Sequence, residues 1–284
     1  MPNIDPAENK LEDPPWVKTS LSKRVVYIIP RMTDVKVQKN LIYKRSAEKV
    51  LSADIYIPPT LFKDERRPGV LFIHGGYLPP NLRTQPKDWG IFTSYGQLMA
   101  ASGLIGITFN HRYYSRDHLK TAQMDILDLI AFVRDQADQY HLDKDRLNLW
   151  AFSGGGPLIS WALRSPPSYL RALVLYYTIL ELNVRPEEKA TPMPVEKLDE
   201  FSPVVQLQHM GKNILPIFIA RAGLDRPALN ASIDKFVETA ISKNLNLDLC
   251  NHAQGQHGFD ILDDQERSRQ IIQRTIDYIR IRNS

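Results

Sequence analysis

The sequence predicts an α/β protein with a mostly parallel central sheet, helices on both faces and an antiparallel edge contributed by the N-terminal part. Three observations predict it. Short apolar runs recur at 69–74, 104–109, 146–151, 172–177, 214–220 and 245–250, as strands buried on both faces do. Helical patterns separate them, clearest over Thr121–Tyr140, where Ile126, Ile130, Val133 and Ala137 share one face. Ahead of these units, Asp34-Val-Lys-Val-Gln alternates as a half-exposed antiparallel strand should.

In chain order, residues 1–22 mix charges with Pro14-Pro15 and read as an irregular lead-in, with Trp16 packing onto the surface. Strands are predicted at Arg24–Ile29, Val35–Tyr43 and Val50–Ile57, with Ser46–Lys49 as a hairpin turn and Pro58-Pro59 ending the sheet edge. The strand at 69–74 leads into His74-Gly-Gly-Tyr77 and an irregular segment to Trp89. A helix follows over Phe92–Ser102, then the strand at 104–109, the long helix and the strand at 146–151. The apolar run Leu158–Leu163 suits a helix. Residues 178–212, with several prolines and charges, form a cap or excursion near the site. Helices at Ala231–Lys243 and Asp264–Ile281 flank the last strand. Alternation of buried strands and amphipathic helices gives one domain over 23–284.

Composition narrows the function. With 284 residues, 43% of them hydrophobic, the chain can fill one large core. The excess of 36 basic over 32 acidic residues is small and dispersed, so nucleic acid is not an expected partner. No apolar run reaches membrane-spanning length, and no hydrophobic leader pattern opens the chain, so no membrane partner is expected. Cys250 alone allows no internal disulfide and permits a reducing compartment; the expected location is cytoplasmic.

The chemistry centres on Leu147-Asn-Leu-Trp-Ala-Phe-Ser-Gly-Gly-Gly-Pro157. A serine between a strand and a helix, flanked by small residues, has the form of a nucleophile elbow. The turn is tight, bulky neighbours would collide, and the hydroxyl projects from the strand end. A serine hydroxyl is a weak nucleophile, so it needs a base, and the base an orienting carboxylate. Asp225 and His257 each lie just beyond a predicted strand end, in the order Ser153, Asp225, His257. Parallel sheets gather such groups at the carboxyl ends of their strands.

Together, His74-Gly-Gly after a strand, Ser153 at the elbow, Gly223-Leu-Asp225 and His257-Gly-Phe259 resemble the esterase/lipase and dienelactone-hydrolase-like branch of the α/β-hydrolase superfamily, over roughly residues 24–281. The resemblance implies roles. Ser153 would be the nucleophile, His257 the base and Asp225 the acid that orients it. The N–H groups of Gly76, Tyr77 and Gly154 would form the oxyanion hole. Asp248 stands in reserve for the acid and His252 for the base.

The resemblance implies a serine carboxylic-ester hydrolase for small or short-acyl esters, with carbohydrate acetyl esters and lactones as plausible substrates. The partner is then a small-molecule ester, with no cofactor. Two other readings stay open: an arylformamidase-like amide hydrolase, on the His-Gly-Gly-Tyr segment, and a non-catalytic ligand binder on the same fold. His74, His111 and His118 lack zinc-site spacing, so no metal is expected. His74 is expected to be structural, its ring bonded to loop backbone. Arg112 suits an ion pair, and Cys250 a buried position. Tyr77, Trp89, Tyr113 and Tyr177 either line a pocket or pack.

Overall fold

A computed structural model describes residues 14–47, 49–182, 195–211 and 215–284. The strands are β1 (Lys36–Arg45), β2 (Val50–Ile57), β3 (Arg67–Ile73), β4 (Ile105–Phe109), β5 (Leu142–Phe152), β6 (Leu170–Tyr176), β7 (Ile217–Ala222) and β8 (Leu247–His252). They form one sheet in the order β1-β2-β4-β3-β5-β6-β7-β8. β1 pairs antiparallel with β2, and β2 with β4; every other pair is parallel. The helices are α1 (Pro15–Ser22), α2 (Gly90–Ala101), α3 (Leu119–Asp135), α4 (Trp161–Arg164), α5 (Val195–Phe201), α6 (Pro203–Gln208), α7 (Pro227–Ser242), α8 (Phe259–Leu262) and α9 (Glu266–Arg282).

Burial explains the apolar runs. Val70 to Ile73 on β3 and Leu147 to Phe152 on β5 are buried without a break, because helices cover both faces of these central strands. α3 turns Ile126, Leu129, Ile130 and Val133 inward, and α9 turns Ile271, Ile272, Ile276 and Ile279 inward. Each such side chain contributes about 1.5–3 kcal/mol over leaving it in water. Trp150 and Phe152, two apart on β5, share a face. Their rings meet Tyr95 of α2 and Tyr176 of β6, making an aromatic block under the strand ends.

Three expectations change. No strand forms over Arg24–Ile29, because its backbone bonds go elsewhere. The Val25 N–H donates to Ser94 Oγ and the Val26 N–H to the Asp260 carbonyl. Within 1–22, residues Pro15–Ser22 are a helix, not an irregular lead-in. Proline at its start needs no N–H partner, Val17 is fully buried, and Trp16 meets Trp89 edge-on at 5.8 Å. The helix over Leu158–Leu163 is broken: Pro157–Ile159 is a 3-10 turn and only Trp161–Arg164 is α-helical.

Ser46 and Lys49 close the β1–β2 turn, with Glu48 outside the described residues. Of 178–212, residues 183–194 and 212 also lie outside. The described remainder forms α5 and α6, and α6 packs on α7.

Candidate active site

β5 ends at Phe152, and Ser153 follows with φ 49°, a left-handed conformation rare for a side chain with a Cβ. Sheet and loop packing hold it there. The Ile179 N–H donates to the Ser153 carbonyl at 2.9 Å. Gly75 and Gly154 lie backbone to backbone: a Cβ on Gly75 would come within 2.3 Å of the Gly154 nitrogen, and one on Gly154 within 2.7 Å of the Gly76 nitrogen. Only glycine lets the loop after β3 press so closely on the elbow. The Leu78 N–H fixes the far side of that loop on the Tyr113 carbonyl at 2.9 Å.

The loops after β7 and β8 are zipped together. The Gly223 N–H donates to the His252 carbonyl at 2.8 Å and the Leu224 N–H to the Gly255 carbonyl at 2.9 Å. That ladder brings Asp225 to His257, whose Nδ1–H donates to Asp225 Oδ2 at 2.6 Å. The other carboxylate oxygen accepts the Arg226 N–H at 2.7 Å. Burial pushes the Asp225 carboxyl up, but the His257 bond and the Arg226 amide and guanidinium outweigh it and hold the group below the usual carboxylate range.

Ser153, Asp225 and His257 line one cavity of about 830 Å3. Gly76 and Tyr77 line it as well, and Gly154 lies directly behind them. Among the described residues, neither Ser153 Oγ nor His257 Nε2 has a hydrogen-bond partner. Catalytic contacts are commonly long before substrate arrives. The walls are aromatic: Trp16, Tyr77, Trp89, Phe92, Phe152 and Tyr177. No described residue of 178–182 or 195–211 reaches the cavity; α1 supplies a wall instead, through Trp16, Thr19 and Ser20.

The reserve residues lie elsewhere. Asp248 is on β8 with its carboxylate 3.7 Å from Arg282, and His252 is buried with Nε2 3.0 Å from Ser268 Oγ. Neither lines the cavity. Arg112 is ion-paired with buried Asp125 at 2.9 Å, and Cys250 is buried. Tyr113 packs edge-on beneath Tyr77 at 5.0 Å.

The His74 ring is buried, interacts with the Gly75 backbone in the loop after β3, and stacks on the His111 ring at 3.6 Å. Burial drives both imidazoles toward the neutral form, with His74 held well below its ordinary value and His111 lowered to about 4. The two lie 37 positions apart, and no sequence pattern announces the pair.

The family model described as BD-FAE matches residues 53–168, from β2 through the elbow to just past α4. Among curated proteins none matches. Similar solved structures include a thermophilic esterase, Est2, from the planctomycete Thermogutta terrifontis. Its native form superposes with a TM-score of 0.67 at 20% identity, over 88% of this chain and 93% of that one. The butyrate-bound form gives 0.64 at 20%, over 89% and 94%. The form phosphorylated by paraoxon gives 0.64 at 20%, over 88% and 93%.

The chain has the α/β-hydrolase fold. The strand order, the antiparallel edge and the helices on both faces all follow from it. In an α/β-hydrolase, the loops after β3, β5, β7 and β8 meet at one edge of the sheet, and these four carry Gly76, Ser153, Asp225 and His257 here. One residue escaped sequence reasoning: Asp260, three after His257 and fully buried. A carboxylate inside the apolar run Phe259–Ile261 was the available signal.

Proposed function

We propose that the protein is a serine carboxylic-ester hydrolase acting on small or short-acyl esters. One observation carries this reading. A buried carboxylate holds an imidazole by a 2.6 Å bond in the same cavity as a serine with left-handed backbone at a strand end. Ser153 Oγ attacks the ester carbonyl as His257 Nε2 takes its proton. Asp225 keeps the ring in the tautomer that leaves Nε2 free to accept, and stabilises the imidazolium. The tetrahedral oxyanion meets the N–H groups of Gly154 and of Gly76 or Tyr77. His257 then returns the proton to the departing alcohol, leaving Ser153 acylated. Water, deprotonated by the same imidazole, releases the acid.

The comparisons support the chemistry by analogy. The Thermogutta terrifontis esterase has been solved with butyrate bound and as an adduct of paraoxon. Butyrate is a four-carbon acid, which favours short acyl groups here as well. The test is hydrolysis of p-nitrophenyl acetate, butyrate and octanoate by wild type and Ser153→Ala, with covalent labelling by paraoxon. Turnover and labelling that both require Ser153, and turnover that falls with chain length, are expected. Equal rates in the two proteins would defeat the reading.

A further inference from the structure

Asp260 follows His257-Gly-Phe259 directly and is fully buried at the start of α8. It accepts two tyrosine hydroxyls, one on each oxygen: Tyr177 Oη on Oδ1 at 2.6 Å and Tyr95 Oη on Oδ2 at 2.7 Å. Two donors on two oxygens are the partners an ionised carboxylate takes. Burial opposes ionisation and pushes this carboxyl up; the two hydroxyls pull it back only in part. Burial and the neighbouring carboxylate drive both tyrosines well above their ordinary value, so they stay donors. Tyr177 also lies against the base, its ring 4.6 Å from the His257 ring. Its backbone is left-handed, φ 39°, a conformation that a tyrosine keeps only when its surroundings enforce it.

We propose that Asp260 is a positioning residue for His257: it clamps the Tyr177 ring against the imidazole and anchors the short segment that carries the base. This deepens the esterase reading and rests on it. Asp225 holds the ring edge at Nδ1 and Tyr177 packs against the ring at a 58° tilt, which restricts how the imidazole sits in the cavity that His257 lines. Among the described residues, the charged and titratable groups that touch this ring or act on it and its partners include Asp225 and Arg226 after β7, Tyr177 after β6, and Asp260 on α8.

The test compares Asp260→Asn and Tyr177→Phe with wild type. Tyr177→Phe keeps the ring and removes its hydrogen bond. In both variants kcat is expected to fall about tenfold, with KM changed less than about twofold. In Asp260→Asn alone, the acidic limb of kcat/KM should move to lower pH, since a negative charge near the base is lost. The downfield proton of the His257–Asp225 bond, read by NMR, should move or broaden in both. That readout needs no turnover, so it separates failure of this proposal from failure of the esterase reading. Wild-type kcat and an unmoved proton resonance in folded variants would overturn the proposal. So would a lower kcat with both the limb and the resonance unmoved, which marks a merely structural role. If Asp260→Asn does not fold, Tyr177→Phe decides by the same kcat and resonance criteria.

Discussion

Ser153 and Tyr177 leave adjacent parallel strands in register, and both leave with left-handed backbone. Phe152 pairs with Tyr176 across β5 and β6, so the next residues stand side by side, with φ 49° and 39°. One carries the candidate nucleophile; the other lies against the candidate base. Neither is glycine, and each conformation costs on the order of 1–3 kcal/mol that the surrounding packing must outweigh. At these two positions the strain sits where the backbone throws a side chain out of the sheet.

Ser153→Ala should lose activity on p-nitrophenyl acetate by about 10^3-fold or more while keeping its fold. Ser153→Gly should be equally inactive yet melt higher than Ser153→Ala, because glycine adopts φ 49° without a Cβ clash. Thermal melts of the two variants compare them directly.

Asp225→Asn should lower kcat by about 10^4-fold, since the imidazole loses the partner that fixes its tautomer. It should also change acid stability. The Asp225 carboxyl is held below its unfolded value, so its contribution is present above the ordinary carboxylate pKa of about 3.9 and lost as pH falls through the lower folded value. Denaturant melts should show the variant weaker than wild type at neutral pH, with the gap closing in strong acid.

Gly154→Ala should disable the site through the backbone. The new Cβ would sit 2.7 Å from the Gly76 nitrogen and push the two loops apart. If those loops hold the oxyanion, kcat on p-nitrophenyl acetate falls about 10^2- to 10^3-fold.

The stacked His74–His111 pair should make the protein acid-labile. Both rings are held neutral below their unfolded value, so the unfolded chain binds more protons, and stability falls as pH drops from about 6.5. For His111 the loss continues to about 4. His111→Phe keeps an aromatic stack and should lessen the slope of stability against pH between those limits, with the share due to His74 remaining. Urea melts at a series of pH values would show it.

Much of this was legible in the sequence, because burial on both faces leaves an unbroken apolar run that periodicity detects. Leu147 to Phe152, Val70 to Ile73 and the inward face of α3 could be read that way. The elbow and His257-Gly-Phe259 were legible because tight geometry restricts residue type locally. What stayed hidden depends on distant partners. Val25 and Val26 look like strand residues, yet Ser94 and Asp260 take their N–H groups. Pro14-Pro15 looks like a breaker but starts a helix, because Trp16 packs on Trp89 and Val17 is buried. The clamp of Asp260 on Tyr177 spans 83 positions, beyond any local pattern.

Because Trp16, Thr19 and Ser20 wall the cavity while every candidate reacting group sits on loops of the sheet, part of the cavity's lining comes from a stretch of polypeptide far in sequence from the candidate chemistry. Changes confined to that short upstream helix would reshape this part of the lining and leave the candidate reacting groups in place.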